Sequence, residues 1–200
     1  MPSPIGHALG GFIAGWLTAG PGDARVDAGV DSRQSSVVSQ QSTVVSQTTA
    51  GVLTARGAWV RNPTARMIVF AGLGVAADLD LLFGAHGTYA HSVGAALVVG
   101  LAAFALLRGR HALVAVACAA AYGSHVLLDW LGEDSSPPIG IMALWPFSRA
   151  YYHSYLDVFM GIMRQYWRPG FLQDNLRSIS REVLTLAPIA IAAWWLRRPR

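Results

Sequence analysis

Apolar and polar positions divide the chain into blocks. Five apolar runs cover 5–20, 67–83, 92–107, 111–131 and 183–196. Their lengths, about 14 to 21 residues, approach the ~20 a membrane-spanning helix needs, so each is expected to be a membrane helix, the shorter ones tilted or extended. Small residues crowd the runs, as at Gly94, Ala95, Ala96, Gly100, Ala102 and Ala103, which lets helix backbones approach closely. The prediction is an all-α fold: one polytopic membrane domain over 1–200, a bundle of about five apolar helices.

Two segments break the pattern. Residues 21–63 contain SRQSSVVSQQSTVVSQTT, a Ser, Gln and Thr-rich stretch expected to be a low-complexity linker inserted into the domain. Its echo, SSVVSQ then STVVSQ, is too short for a structural repeat. Residues 132–182 are different: turn prolines and aromatics, as in SSPPIGIMALWPFSRAYYHSY, predict an ordered extracytoplasmic cap.

Composition agrees with a membrane protein. Hydrophobic residues make up 53%, charged residues 13%, and mean hydropathy is +0.39, against about 25% charged in soluble chains. All 15 basic residues are arginines, against 11 acids, which excludes lysine Schiff-base and P-loop chemistry. The arginines sit at the ends of apolar runs rather than on one basic face, so nucleic acid is not an expected partner. The lone Cys118 excludes an intramolecular disulfide and reads as a small buried hydrophobe. The opening MPSPIGHALGGF has no basic n-region and is interrupted by a histidine, which speaks against a cleaved export signal.

Arginines also orient the chain. Arg56, Arg61 and Arg66 precede the second run, Arg108 and Arg110 follow the third, and Arg197, Arg198 and Arg200 follow the fifth. A five-helix path that puts all three clusters on the cytoplasmic side places the cap outside. Seven polar residues then share the outer level: His7, Asp78, Asp80, His86, His91, His125 and Asp129. Leaving a buried aspartate uncompensated costs about 2.5 to 3.5 kcal/mol on insertion scales, and a shared cation removes that cost. His125 and Asp129 lie one helical turn apart on one face. Asp78 and Asp80 would point to nearly opposite sides of an α-helix, so a shared site requires the helix to end or loosen there. Neutral imidazoles beside carboxylates suit zinc, with manganese or iron as alternatives, one or two ions in all. His111 beside Arg110, and His153 in RAYYHSY, are assigned to the interfaces, as are Trp130, Trp145, Trp167, Tyr151 and Tyr152.

The order GHALGG, DLD, H-x4-HS, GSHVLLDWLG and ALWPFS resembles the YdjM-like bacterial inner-membrane metal-dependent hydrolases, a family proposed to be distant kin of the zinc-dependent phospholipase C superfamily. The resemblance spans most of the chain outside the linker and the last 50 residues. It implies a helical inner-membrane protein whose His and Asp positions, matched by the seven residues above, hold metal. This chain departs from it where HGTYAHS replaces HRG-x-THS, with Gly87 for Arg and Ala90 for Thr. Arg149 after WPFS is the arginine expected to serve instead.

The expected function is hydrolysis of a phosphoester or related bond in a lipid or membrane-associated small molecule by metal-activated water. Asp80 or Asp134 is the expected general base and Arg149 the stabiliser of developing charge. Metal or proton transport is the alternative, although the inner halves VVGLAAFALL and VLTLAPIAIAAWWL carry almost no polar residues. A scaffold with a structural metal is the third reading.

Overall fold

The structure, a computed structural model, describes residues 1–19, 58–83, 86–135 and 137–197. These form α1 (Pro4–Thr18), the short α2 (Ala58–Arg61), α3 (Pro63–Val75), a 3-10 helix (Ala76–Phe83), α4 (Val93–Leu106), α5 (Ala112–Leu131) and α6 (Phe171–Arg197). Among the described residues there is no β-strand beyond two isolated bridges, Gly132 with Phe159 and Ile141 with Tyr152. The fold is helical. Most of the expected linker falls outside the described residues, as do Arg56, Arg198 and Arg200, while 58–63 is already α2 and the start of α3.

Local chemistry sets the helix starts. Ser3 caps α1 through its hydroxyl, which accepts from the Gly6 amide, and Pro4 enters the first turn. Asn62 with Pro63 does the same for α3, and Ser92 for α4. α5 and α6, at 20 and 27 residues, are long and apolar enough to cross a membrane. α1, α3 and α4 have 15, 13 and 14 residues, short of the ~20 a straight span needs.

Two expected boundaries move. The second apolar run is α-helical only to Val75 and continues as a 3-10 helix. α6 starts 12 residues before its apolar part, so 171–182, assigned to the cap, belongs to the helix. Its sequence FLQDNLRSISRE is polar but holds no proline or glycine to stop a helix, and Gly170 at φ +87° turns the chain immediately before it. The cap proper is the irregular segment from Gly132 to Gly170. It is tied to the bundle by backbone bonds from the Val93 and Gly94 amides to the Ala143 and Trp145 carbonyls, 2.9 and 3.0 Å, and from Met142 to Gly87, 3.0 Å.

α1 and α5 are the central helices: α1 packs on α3, α5 and α6, and α5 also packs on α3 and α4. Glycines make this possible. A Cβ on Gly11 would lie 2.6 Å from Gly74 Cα, and one on Gly10 2.6 Å from Leu128 Cδ1, so α1 reaches α3 and α5 only because both positions lack side chains. Below that crossing Trp16, Phe70, Val114, Ala117, Cys118 and Ala121 fill the core.

Candidate metal centre

Four separate segments deliver the seven polar residues to one end of the bundle. His7 comes from the first turns of α1. Asp78 and Asp80 come from the 3-10 helix, whose ~120° step per residue brings i and i+2 nearer to one side than the ~100° step of an α-helix does. His86 and His91 flank a turn closed by the His91 amide on the Thr88 carbonyl, 3.0 Å. His125 and Asp129 share the inward stripe of α5.

Asp129 is the hub. Its Oδ1 lies 3.3 Å from His7 Nε2, and its Oδ2 lies 3.1 Å from His125 Nε2 and 3.3 Å from His91 Nε2. Asp78 Oδ1 stands 3.7 Å from His125 Nε2 and 3.9 Å from His91 Nε2. Ligands on one tetrahedral ion with bonds of about 2.0 to 2.1 Å are roughly 3.3 Å apart, so these separations match donors facing a common centre. The donor atoms form three overlapping sets, His7–His125–Asp129, Asp78–His91–His125 and Asp80–His86–His91, each within 4.8 Å. These buried clusters can hold a metal ion.

The polar atoms themselves ask for a partner. Both nitrogens of His7 and of His91, His125 Nε2, Asp80 Oδ2 and both oxygens of Asp129 are buried and make no hydrogen bond, a state that native interiors rarely leave uncompensated. The His7 and His125 rings are stacked, centroids 3.7 Å apart and 16° from parallel, and both Nε2 atoms face Asp129.

Surrounding groups set the ring orientations. The Gly74 carbonyl accepts from His125 Nδ1, 2.7 Å, which leaves the Nε2 lone pair facing Asp129 and Asp78. Asp80 bridges the other side: Oδ1 accepts from His86 Nδ1 at 3.0 Å, and Oδ2 is 3.0 Å from His91 Nδ1. Burial holds the His86 imidazole below its ordinary pKa, opposed by Asp80. Met1 Sδ covers its Nε2 at 2.7 Å.

The remaining candidates lie elsewhere. Asp134 accepts from the Gly140 amide in the cap, 2.9 Å, and Arg149 is exposed on the cap. His153 Nε2 donates to the Gly132 carbonyl, 2.8 Å, which makes it a cap staple. Three participants escaped the sequence reading. Gly74 acts through its carbonyl and Met1 through a thioether, neither of which a motif announces. Glu182, assigned to the cap, is fully buried, accepts from the Ser3 amide at 2.8 Å and also from the Ser3 hydroxyl, and so pins α1 beside His7. An acid inside an otherwise helical pattern was the available signal for it. No family model, curated protein or solved structure matches the chain.

Proposed function

We propose that the chain is a membrane-embedded, metal-dependent hydrolase of the YdjM-like kind, a five-helix bundle of a bacterial inner membrane with its centre toward the extracytoplasmic side. Its substrate on this reading is a lipid phosphoester. The observation that carries the proposal is the meeting of three histidine Nε2 atoms on Asp129, at tetrahedral ligand spacing, in a cluster whose buried donors lack partners.

His7, His91, His125 and Asp129 would hold the ion, and imidazole with carboxylate favours zinc over magnesium or calcium. A bound divalent cation supplies Lewis acidity and brings the pKa of water toward about 7. Asp78 is the most exposed carboxylate of the set, its side chain 19% accessible, and it stands farther from the Nε2 atoms than Asp129 does. It therefore borders the open side and is placed to accept a proton from the attacking water. Asp80 lies between two imidazoles, bonded to His86 and 3.0 Å from His91 Nδ1.

Transport would need polar groups continuing through the bundle. Below the cluster the described core is apolar down to Arg66, whose guanidinium bonds the Ala19 carbonyl, so a one-sided catalytic centre is the better account.

Elemental analysis of detergent-purified protein tests the proposal together with a phospholipid and isoprenoid-phosphate hydrolysis panel. The wild type is expected to carry one or two equivalents of metal and to turn over at least one substrate. Asp129→Asn keeps the shape, loses the charge, and should lose both metal and turnover. Metal present with no substrate cleaved, and a lower Tm in the variant, would establish a structural metal instead.

A further inference from the structure

Beside the metal centre, α4, α5 and the cap enclose an apolar groove of about 480 Å3, within the roughly 300 to 1,000 Å3 of small-molecule sites. Ala96 of α4, Gly123, Val126 and Trp130 of α5, and Leu144 and Tyr152 of the cap line it. Two side-chain polar groups occur among these, the Trp130 indole N–H and the Tyr152 hydroxyl, and the hydroxyl donates to Ser148 Oγ at 3.0 Å. The lining therefore suits hydrocarbon and offers little to a polar ligand.

Its position says where the hydrocarbon comes from. Gly123, Val126, Leu127 and Trp130 follow the i, i+3, i+4, i+7 stripe of α5, next to the stripe that carries His125 and Asp129. Rim residues Val93, Leu127 and Leu144 are exposed, as are Leu97, Val98 and Leu101 of the neighbouring helix, so the groove opens on the surface that an apolar helix pair turns to lipid. At the other end α4 and α5 close on each other, since a Cβ on Gly100 would lie 2.8 Å from Ala119 Cβ. The groove is thus a slot closed where α4 and α5 meet, lined by cap residues at its other end and open on that apolar face. Arg149, exposed, lies within the loop that the Ser148–Tyr152 bond closes, three residues from the lining residue Tyr152, so the cap segment that borders the slot carries a cation.

Only a thin wall separates slot and centre. Ala96 lines the slot and packs with Ala77 and Tyr122, Ala77 adjoins Asp78, and the Tyr122 hydroxyl donates to the Ala90 carbonyl, 2.9 Å, one residue before His91. We infer that this slot binds one hydrocarbon chain of a membrane phospholipid, with the headgroup phosphate at the Arg149 end of the slot, level with the His and Asp centre. The inference rests on the hydrolase reading for its purpose and on the slot's lining and charge for its ligand.

A phospholipid with a diazirine on its acyl chain, crosslinked in nanodiscs and mapped by mass spectrometry, tests it on the full chain. Label is expected in 123–130 and 143–152 at a several-fold excess over the exposed lipid-side face around Leu184 and Ile191, which reports random contact. A Cβ at Gly123 would meet only Ala96 Cβ, at 3.7 Å, and the position lines the slot, so Gly123→Leu should fold, fill the slot and bring the labelling to parity. Parity in the wild type, or an excess that survives Gly123→Leu, would overturn the inference. Metal analysis of the same samples separates the two proposals: metal-loaded protein labelled at parity removes the slot alone, whereas a labelled slot in protein that binds no metal supports the slot and removes the hydrolase.

Discussion

The two ends of the bundle bury charge by opposite means. At the arginine end, Arg66 is buried and donates to the Ala19 carbonyl, while Arg197 donates to the Leu17 carbonyl at 2.6 Å. Both arginines close the C-terminus of α1, where unpaired carbonyls and the helix dipole favour a cation. That end is largely satisfied within the chain: both guanidinium groups bond helix-end carbonyls, although Arg66 Nε and Trp16 Nε1 are buried without a hydrogen bond. At the His and Asp end, carboxylates and imidazoles surround a common point and leave buried donors and acceptors without hydrogen bonds. The same helix, α1, links the two, and the comparison teaches that buried charge alone does not mark a site. What marks it is several carboxylates and imidazoles converging on one point with no partner there from the polypeptide.

The largest expected effect breaks the comparison directly. Stripping the metal with a chelator should lower Tm by many degrees, because ligand binding to the native state alone stabilises it by mass action, and His125→Ala should abolish that chelator response. Arg66→Met, at the other end, should leave metal content and the chelator response unchanged. Its own cost, from a lost charge-assisted hydrogen bond, is about 1.5 to 3 kcal/mol, read as a lower Tm at full metal loading. If Arg66→Met also emptied the centre, the two ends would not be independent.

How much of this was legible beforehand differs from residue to residue. His125 and Asp129 were readable because helical periodicity alone puts i and i+4 on one face, and His7 because an alternating path returns it to the same level. For Asp78 and Asp80 only the condition for joint use was readable, that the helix end or loosen there; its fulfilment is the change from α to 3-10 geometry at Ala76, which no glycine or proline at that residue announces. The glycines of GHALGG were visible as a motif, but their meaning was packing: Gly6 makes room for Glu182, Gly10 for Leu128 and Gly11 for Gly74. The start of α6 was hidden because hydropathy locates apolar helix and is blind to a polar helical extension.

A smaller effect tests whether Glu182 positions the centre or merely joins helices. Glu182→Gln keeps the size but leaves one Ser3 donor facing an amide NH2, at about 1 to 3 kcal/mol for an unsatisfied buried group. Tm should fall by several degrees, and metal affinity only modestly, because the hydrogen bonds of Glu182 go to Ser3 rather than to a ligand. Loss of all metal in Glu182→Gln would instead make it part of the centre.

The finest test compares two glycines two residues apart on α3. A Cβ at Gly74 would collide with the His7 carbonyl and lie 2.9 Å from Gly11 Cα, so Gly74→Ala must push α1 from α3 and move His7 and the Gly74 carbonyl that orients His125. Overpacking of this kind costs about 1 to 3 kcal/mol or more, and metal affinity should fall with it. Gly72 meets nothing within 4 Å and is exposed. Gly72→Ala therefore adds only helix preference, about 0.5 to 1 kcal/mol of stabilisation, with metal content unchanged. Thermal melts and metal titrations of the two variants should move in opposite directions for stability, and only Gly74→Ala should weaken binding. Equal behaviour would mean that the α1–α3 contact does not hold the centre together, and the link between helix crossing and ligand geometry would have to be given up.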